Sequence, residues 1–161
     1  MPNAPRPYRN GTHQGVDLYG SDNCTQITAG TAVVAARAGT VIRADTDYRD
    51  LTPLELQKYE AAPTTDEALD AFRGRQVWID HGGVITRYAH LGGIAAGISK
   101  GTTVRQGQLV GYVGESGTPE SVTNPGNEYH LHFEVWVNGS YLGAGLAATE
   151  VRALYQGLFA P

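Results

Sequence analysis

Tyr129-His130-Leu131-His132-Phe133-Glu134-Val135-Trp136-Val137 is the stretch whose reading decides the fold. Aromatic and β-branched residues dominate it and the apolar positions alternate, which predicts a strand. Side chains on a strand alternate with a period of two. Leu131, Phe133, Val135 and Val137 therefore fall on one face, and His130, His132, Glu134 and Trp136 on the other. Two imidazoles stand side by side on a face that is not the core face. They can share a metal, or one can bind it while the other handles protons; an ordinary polar strand face is the plain alternative.

Outward from this strand the chain is rich in short extended segments. Residues 31–36, 39–44, 76–81, 84–91 and 109–114 read as strands, and Gly82-Gly83 as a hairpin turn. Residues 115–128 form a long loop of Ser, Thr, Pro, Gly and Asn, and Asn138-Gly139 a turn. A closing helix is predicted over about 147–158. Residues 45–74 break the β pattern. Pro53 opens one helix, Pro63 ends it, and Thr64 with Glu67 has the spacing of a capping box for a second. This segment reads as a helical insertion whose Leu54, Leu56, Leu69 and Phe72 need a surface to bury against. Helices are expected only at about 52–73 and 147–158. The organisation is an extended arm over 1–12, a β domain over 13–146 and a C-terminal helix over 147–161 on the same domain.

Composition bounds the function classes. A chain of 161 residues suits one domain, and 41% hydrophobic content suffices for a core. The net charge of −4, with ten arginines and two lysines, leaves no basic footprint for nucleic acid. No apolar run reaches membrane-spanning length. Cys24 is the sole cysteine, so an intramolecular disulfide is impossible. Residues 1–7 lack the apolar centre of a signal peptide, so either the protein stays inside the cell or this is an excised or mature domain.

The histidines are His13, His81, His90, His130 and His132. In His13-Gln14-Gly15-Val16-Asp17 an extended backbone puts the imidazole and the carboxylate on one face. Gly15 between them leaves room for something to approach the backbone closely. Nitrogen and oxygen ligands of this kind suit a borderline-hard divalent cation. A catalytic zinc site takes three protein ligands and keeps a fourth position for water. His13, Asp17 and one histidine of the last strand meet that count, leaving two imidazoles for proton work and charge stabilisation.

With His13-x-x-x-Asp17, Tyr88-Ala89-His90-Leu91 and His130-x-His132 in this order, the chain resembles the lysostaphin/LytM family of zinc metallo-endopeptidases, which cut peptides in bacterial peptidoglycan. Ile79-Asp80-His81-Gly82, Gly107-Gln108-Leu109-Val110-Gly111 and Leu131-His132-Phe133-Glu134 resemble the family too, and the likeness runs over about 11–143 apart from the insertion. The resemblance implies a mainly antiparallel β-sandwich with an open groove, akin to the duplicated hybrid motif. It implies one zinc ion on His13, Asp17 and His132, with His130 as general base and His90 stabilising charge on the attacked carbonyl. It implies peptidoglycan peptides as substrate and an extracytoplasmic location, periplasmic or secreted. Tyr48, in the insertion, is the candidate substrate-binding residue, with a plain surface tyrosine as the alternative. Glu134 is either an outer partner of the zinc or a solvated strand residue, His81 is expected to be structural, and Trp78 and Trp136 to pack. Two other classes are weighed: a non-hydrolytic cell-wall-binding or regulatory module that activates a partner hydrolase, which calls for broken motifs, and a carrier domain with Lys100 as its attachment point.

Overall fold

The computed structural model describes residues 1–6, 11–20 and 26–159; Cys24 lies outside the described residues. In chain order the elements are β1 (Pro5–Arg6), β2 (Gly11–Thr12), β3 (Val16–Leu18), β4 (Ala32–Val34), β5 (Gly39–Ala44), α1 (Pro53–Ala61), α2 (Asp66–Arg73), β6 (Val77–Asp80), β7 (Val84–Ala89), β8 (Leu91–Ile94), β9 (Thr103–Val104), β10 (Leu109–Val113), α3 (Pro119–Thr123), β11 (Leu131–Val137), β12 (Ser140–Tyr141) and α4 (Ala148–Phe159). The described strand pairs are antiparallel, as expected for a mainly β protein.

Two sheets enclose the core. The larger has the order β12-β11-β7-β6-β5-β9, with β3 also on β11; the smaller has the order β4-β10-β8. Val41, Ile79, Tyr88 and Phe133 from the larger meet Val33, Leu91, Val110 and Val113 from the smaller, and α4 adds Val151 and Tyr155. Each is nearly inaccessible to water, and burying a side chain of this size contributes on the order of 1.5–3 kcal/mol.

Strand β11 is the hub. One edge pairs along its length with β7; the other is shared by β3 near its start and β12 near its end. Phe133 and Val135 enter the core as the alternation requires. The opposite face differs from the sequence expectation. His132 and Glu134 are also buried, at 6% and 1% exposure, so both faces of β11 are covered. The Asn138-Gly139 turn into β12 has both residues at positive φ, 50° and 79°, matching the twist of the flanking strands.

The insertion forms α1 and α2 in the hairpin between β5 and β6, where Ala44 faces Val77. Thr52 and Glu55 make the capping box of α1. The expected box at Thr64 is not the one used for α2: the adjacent Thr65 caps that helix by accepting from the backbone N–H of Ala68. Leu56, Ala68 and Phe72 bury together, with Tyr59 and Val122 alongside. Leu54, expected to bury, is instead 74% exposed. The helices are not confined to 52–73 and 147–158 either. Within the long loop before β11, Thr118 caps α3, accepting from the N–H of Ser121, with Pro119 in its first turn. A helix this short leaves no room for an apolar period, which is why composition alone reads as loop.

Candidate metal centre

The register of β3 on β11 places Asp17 directly opposite His132. That close pairing depends on Gly15: a Cβ there would lie 2.3 Å from the Phe133 carbonyl oxygen and 2.9 Å from Glu134 Cγ. His13, before the strand, reaches the same point. His13 Nε2 lies 2.9 Å from Asp17 Oδ1 and 2.9 Å from His132 Nδ1, and His132 Nδ1 lies 2.8 Å from Asp17 Oδ1. These three side chains form the metal-competent group among the described residues.

The outer atoms fix the tautomers. His13 Nδ1–H donates to the Met1 carbonyl at 3.0 Å, and His132 Nε2–H donates to Glu134 Oε1 at 2.9 Å. Their inner nitrogens therefore carry lone pairs toward the carboxylate oxygen of Asp17. Three acceptors this close repel one another unless a proton or a cation sits among them. Two imidazole nitrogens and one carboxylate oxygen are a borderline donor set that fits zinc. Burial pushes the His13 imidazole down to about 4, which keeps it neutral and able to ligate near neutral pH. For Asp17 burial acts upward, but the adjoining His13 and His132 imidazoles outweigh it and hold the carboxyl well below its usual range. Burial also opposes charge on His132, yet its bonds to Asp17 and Glu134 raise its affinity for a proton.

Glu134 is the partner of His132 and not a solvated residue. Oε1 also accepts from Arg73 Nε at 2.8 Å; Oε2 accepts from Trp136 Nε1 at 2.6 Å and Arg87 Nη1 at 3.4 Å. Burial resists its ionisation, but His132 and Arg73 overcome that and keep it a carboxylate. Arg87 is clasped between the rings of Trp78 and Trp136, 3.8 Å from each centroid, so the two tryptophans pack and do not offer open stacking faces on that side.

The other two imidazoles stand beside the triad. The ring centroids of His90 and His130 are 4.6 Å apart, and His90 is 5.6 Å from His132. His130 Nδ1–H donates to the Glu128 carbonyl at 2.6 Å, leaving Nε2 bare and 3.8 Å from Asp17 Oδ1. Tyr19 stacks on its other face at 4.6 Å. His90 sits at the corner where the chain leaves β7 for β8, with the left-handed φ of 56°. Its backbone N–H donates to the Arg73 carbonyl and its Nδ1–H to the Ser116 carbonyl. Burial lowers the proton affinity of both rings. At rest each presents a lone pair at Nε2, so His90 can donate to a developing negative charge only after gaining a second proton.

These groups line a cleft of about 970 Å³ together with Arg6, Tyr19, Phe72, Arg73, Thr118 and Glu128. The insertion thus supplies part of one wall through Phe72 and Arg73. Tyr48 is not in this lining: its ring lies under the Arg75 guanidinium, 5.2 Å from the centroid, beside a separate hollow that Arg75 lines. His81 is likewise remote, bonded to Thr86 Oγ1 and the Ala38 carbonyl. Arg6, Tyr19 and Arg73 escaped the sequence reading. Tyr19 was within reach of it, because it lies two residues from Asp17 and so shares its side of an extended chain; the two arginines carry no local signal.

The family model described as peptidase family M23 matches residues 11–144. No curated protein matches the chain. Among solved structures, a zinc-containing peptidase from Vibrio cholerae superposes with a TM-score of 0.57 at 24% identity, covering 91% of this chain and 34% of its own. This chain therefore spans about a third of that peptidase. The catalytic domain of the prophage-encoded M23 protein EnpA from Enterococcus faecalis gives 0.54 at 21% identity, with 88% and 84% covered. The catalytic domain of the antimicrobial peptidase lysostaphin from Staphylococcus simulans gives 0.54 at 21%, with 86% and 80% covered. At these identities the likeness establishes a common fold, a lysostaphin/LytM-type β-sandwich.

Proposed function

The chain belongs to peptidase family M23, and on that premise we propose that it is a zinc-dependent endopeptidase that hydrolyses peptide bonds in bacterial peptidoglycan. The observation that carries the proposal is the convergence of His13 Nε2, Asp17 Oδ1 and His132 Nδ1 beside two further imidazoles with bare Nε2 atoms in one cleft. His13, Asp17 and His132 would hold zinc, which when bound would supply Lewis-acid polarisation of the scissile carbonyl and lower the pKa of water to roughly 7. His130 takes the proton of the attacking water at Nε2, since its Nδ1–H is already committed to Glu128, and hands it on to the departing amine. Tyr19 and the Glu128 carbonyl hold that ring in place. His90, its ring 4.6 Å from that of His130, donates from Nε2 to the developing charge once it has taken a second proton from solvent. No covalent intermediate is required. Because Phe72 and Arg73 of the insertion add to the lining of the cleft, a slender peptide is expected in preference to a branched cross-link, and a peptidoglycan substrate implies a location outside the cytoplasm.

The test is metal content together with release of new amino termini from purified cell walls. His13→Ala and Asp17→Ala are expected to lose both zinc and hydrolysis. His130→Ala is expected to keep zinc and lose on the order of 10²–10⁴-fold in turnover, the usual contribution of a general base. A His13→Ala protein that cleaves without zinc would defeat the mechanism.

A further inference from the structure

The three proposed ligands each lean on an outer partner, and two of those partners come from residues 1–6, outside the segment matched by the family model. Arg6 Nη2 donates to Asp17 Oδ2 at 2.6 Å, while Oδ1 faces His13 and His132. The Met1 carbonyl takes the Nδ1–H of His13. This short arm is fastened along its length. The N–H of Asn3 donates to the His13 carbonyl at 2.8 Å, and the N–H of His13 to the Ala4 carbonyl at 2.9 Å. Strand β1 then pairs with β2, Pro5 facing Thr12. On the far side Asn3 Nδ2 donates to the carbonyls of Gly143 and Leu146, and Tyr141 Oη–H donates to Asn3 Oδ1 at 2.6 Å.

We propose that the N-terminal arm is a positioning element of the metal centre, in which Arg6 restricts Asp17 to ligation through one oxygen and the Met1 carbonyl restricts His13 to ligation through Nε2. The inference rests on the ligand set argued above. Its chemistry is general. A guanidinium that occupies one carboxylate oxygen leaves only the other for a cation, and an imidazole that donates from one nitrogen binds metal with the other. One-oxygen ligation keeps the coordination number low and leaves a position open for water, as catalytic zinc requires. Arg6 touches neither the proposed ion nor a reacting atom; it acts through Asp17.

The experiment measures zinc affinity by competition with a chelator and the visible absorption of the cobalt-substituted protein. Arg6→Met is expected to weaken zinc about 10–100-fold, the usual consequence of losing an outer partner. It is also expected to weaken the cobalt bands, because a freed Asp17 can chelate with both oxygens and raise the coordination number. Arg6→Lys restores the charge without the planar fork and recovers part of the affinity. Asn3→Ala loosens the arm from its far side and shifts both readouts in the same direction, so the question remains answerable if Arg6→Met does not fold. Arg6→Met and Asn3→Ala proteins with unchanged zinc affinity and cobalt spectra would overturn the proposal, while leaving the ligand set intact as long as His13→Ala is metal-free. An unaltered chain that binds no zinc would overturn the ligand set, and the role of the arm with it.

Discussion

Replacing Glu134 with Gln tests whether the metal site is built from the second layer inward. The carboxylate is 1% exposed and receives donors from His132, Arg73, Trp136 and Arg87, two on each oxygen. An amide keeps the shape but has one acceptor atom, so whichever way it turns its NH₂ faces a donor. Among the described residues it also removes the only negative charge that pairs with Arg73 and Arg87, whose side chains are 11% and 13% exposed. Breaking a buried pair from one side costs about 3–5 kcal/mol. Because both guanidinium groups keep slight access to water, the lower end applies, about 3 kcal/mol, a large share of the roughly 5–15 kcal/mol that holds a domain together. For a domain of this size that is a fall of roughly 6–12 °C in the melting temperature of the metal-free protein. Zinc affinity should fall by a further factor of about 10–100 as His132 loses its anchor. Urea denaturation without metal and zinc titration against a chelator separate the two effects. A Glu134→Gln protein within about 0.5 kcal/mol of the original and equally tight for zinc would refute the reasoning.

Two further outcomes are expected. The metal-free protein should lose stability as pH falls from 6.5 toward 4: His13 drops to about 4 on folding, so in this window the unfolded chain takes up a proton that the folded one refuses, at up to about 3 kcal/mol. His90 and His130 are shifted in the same direction, while His132, shifted up, offsets part of the effect; urea midpoints that stay flat between pH 7 and 5 would contradict this. Gly15→Ala should force β3 off β11, costing about 1–3 kcal/mol and carrying Asp17 away from His132, so a melt and a zinc titration indistinguishable from the original would show that the close approach is not required.

The inner layer of the site is legible in the sequence because a strand fixes which side chains share a face. His130 and His132 declare themselves by alternation, and His13 and Asp17 by a spacing with glycine between them. The outer layer is not legible. Arg73 and Arg87 meet Glu134 across separations of 61 and 47 residues, and Arg6 meets Asp17 from a strand, β1, paired antiparallel with β2. No period or spacing encodes such meetings; they follow from register. The same holds for Tyr48, whose place in the insertion pointed to the groove while Arg75 holds it elsewhere. The sequence leaves Glu134 open between an outer partner of the zinc and a solvated residue, because alternation tells which face a residue occupies, not whether something covers that face.

The hairpin that carries the insertion has an evolutionary consequence. Ala44 and Val77 are partners across β5 and β6, so the strand pair closes in the same register whatever lies between them. Lengthening a turn costs little chain entropy, about 0.6 kcal/mol per doubling, or roughly 2 kcal/mol for a tight turn grown to the size of residues 45–76. The buried Leu56, Ala68 and Phe72 readily offset that sum. The sheet itself thus tolerates gain or loss of this segment in a single genetic event. The last residue of α2 does not: Arg73 holds Glu134 through its side chain and His90 through its carbonyl. A lineage that acquired the insertion and then came to rely on Arg73 could no longer discard it, and drift in the helices would be free only at positions other than Arg73 and the buried Leu56, Ala68 and Phe72.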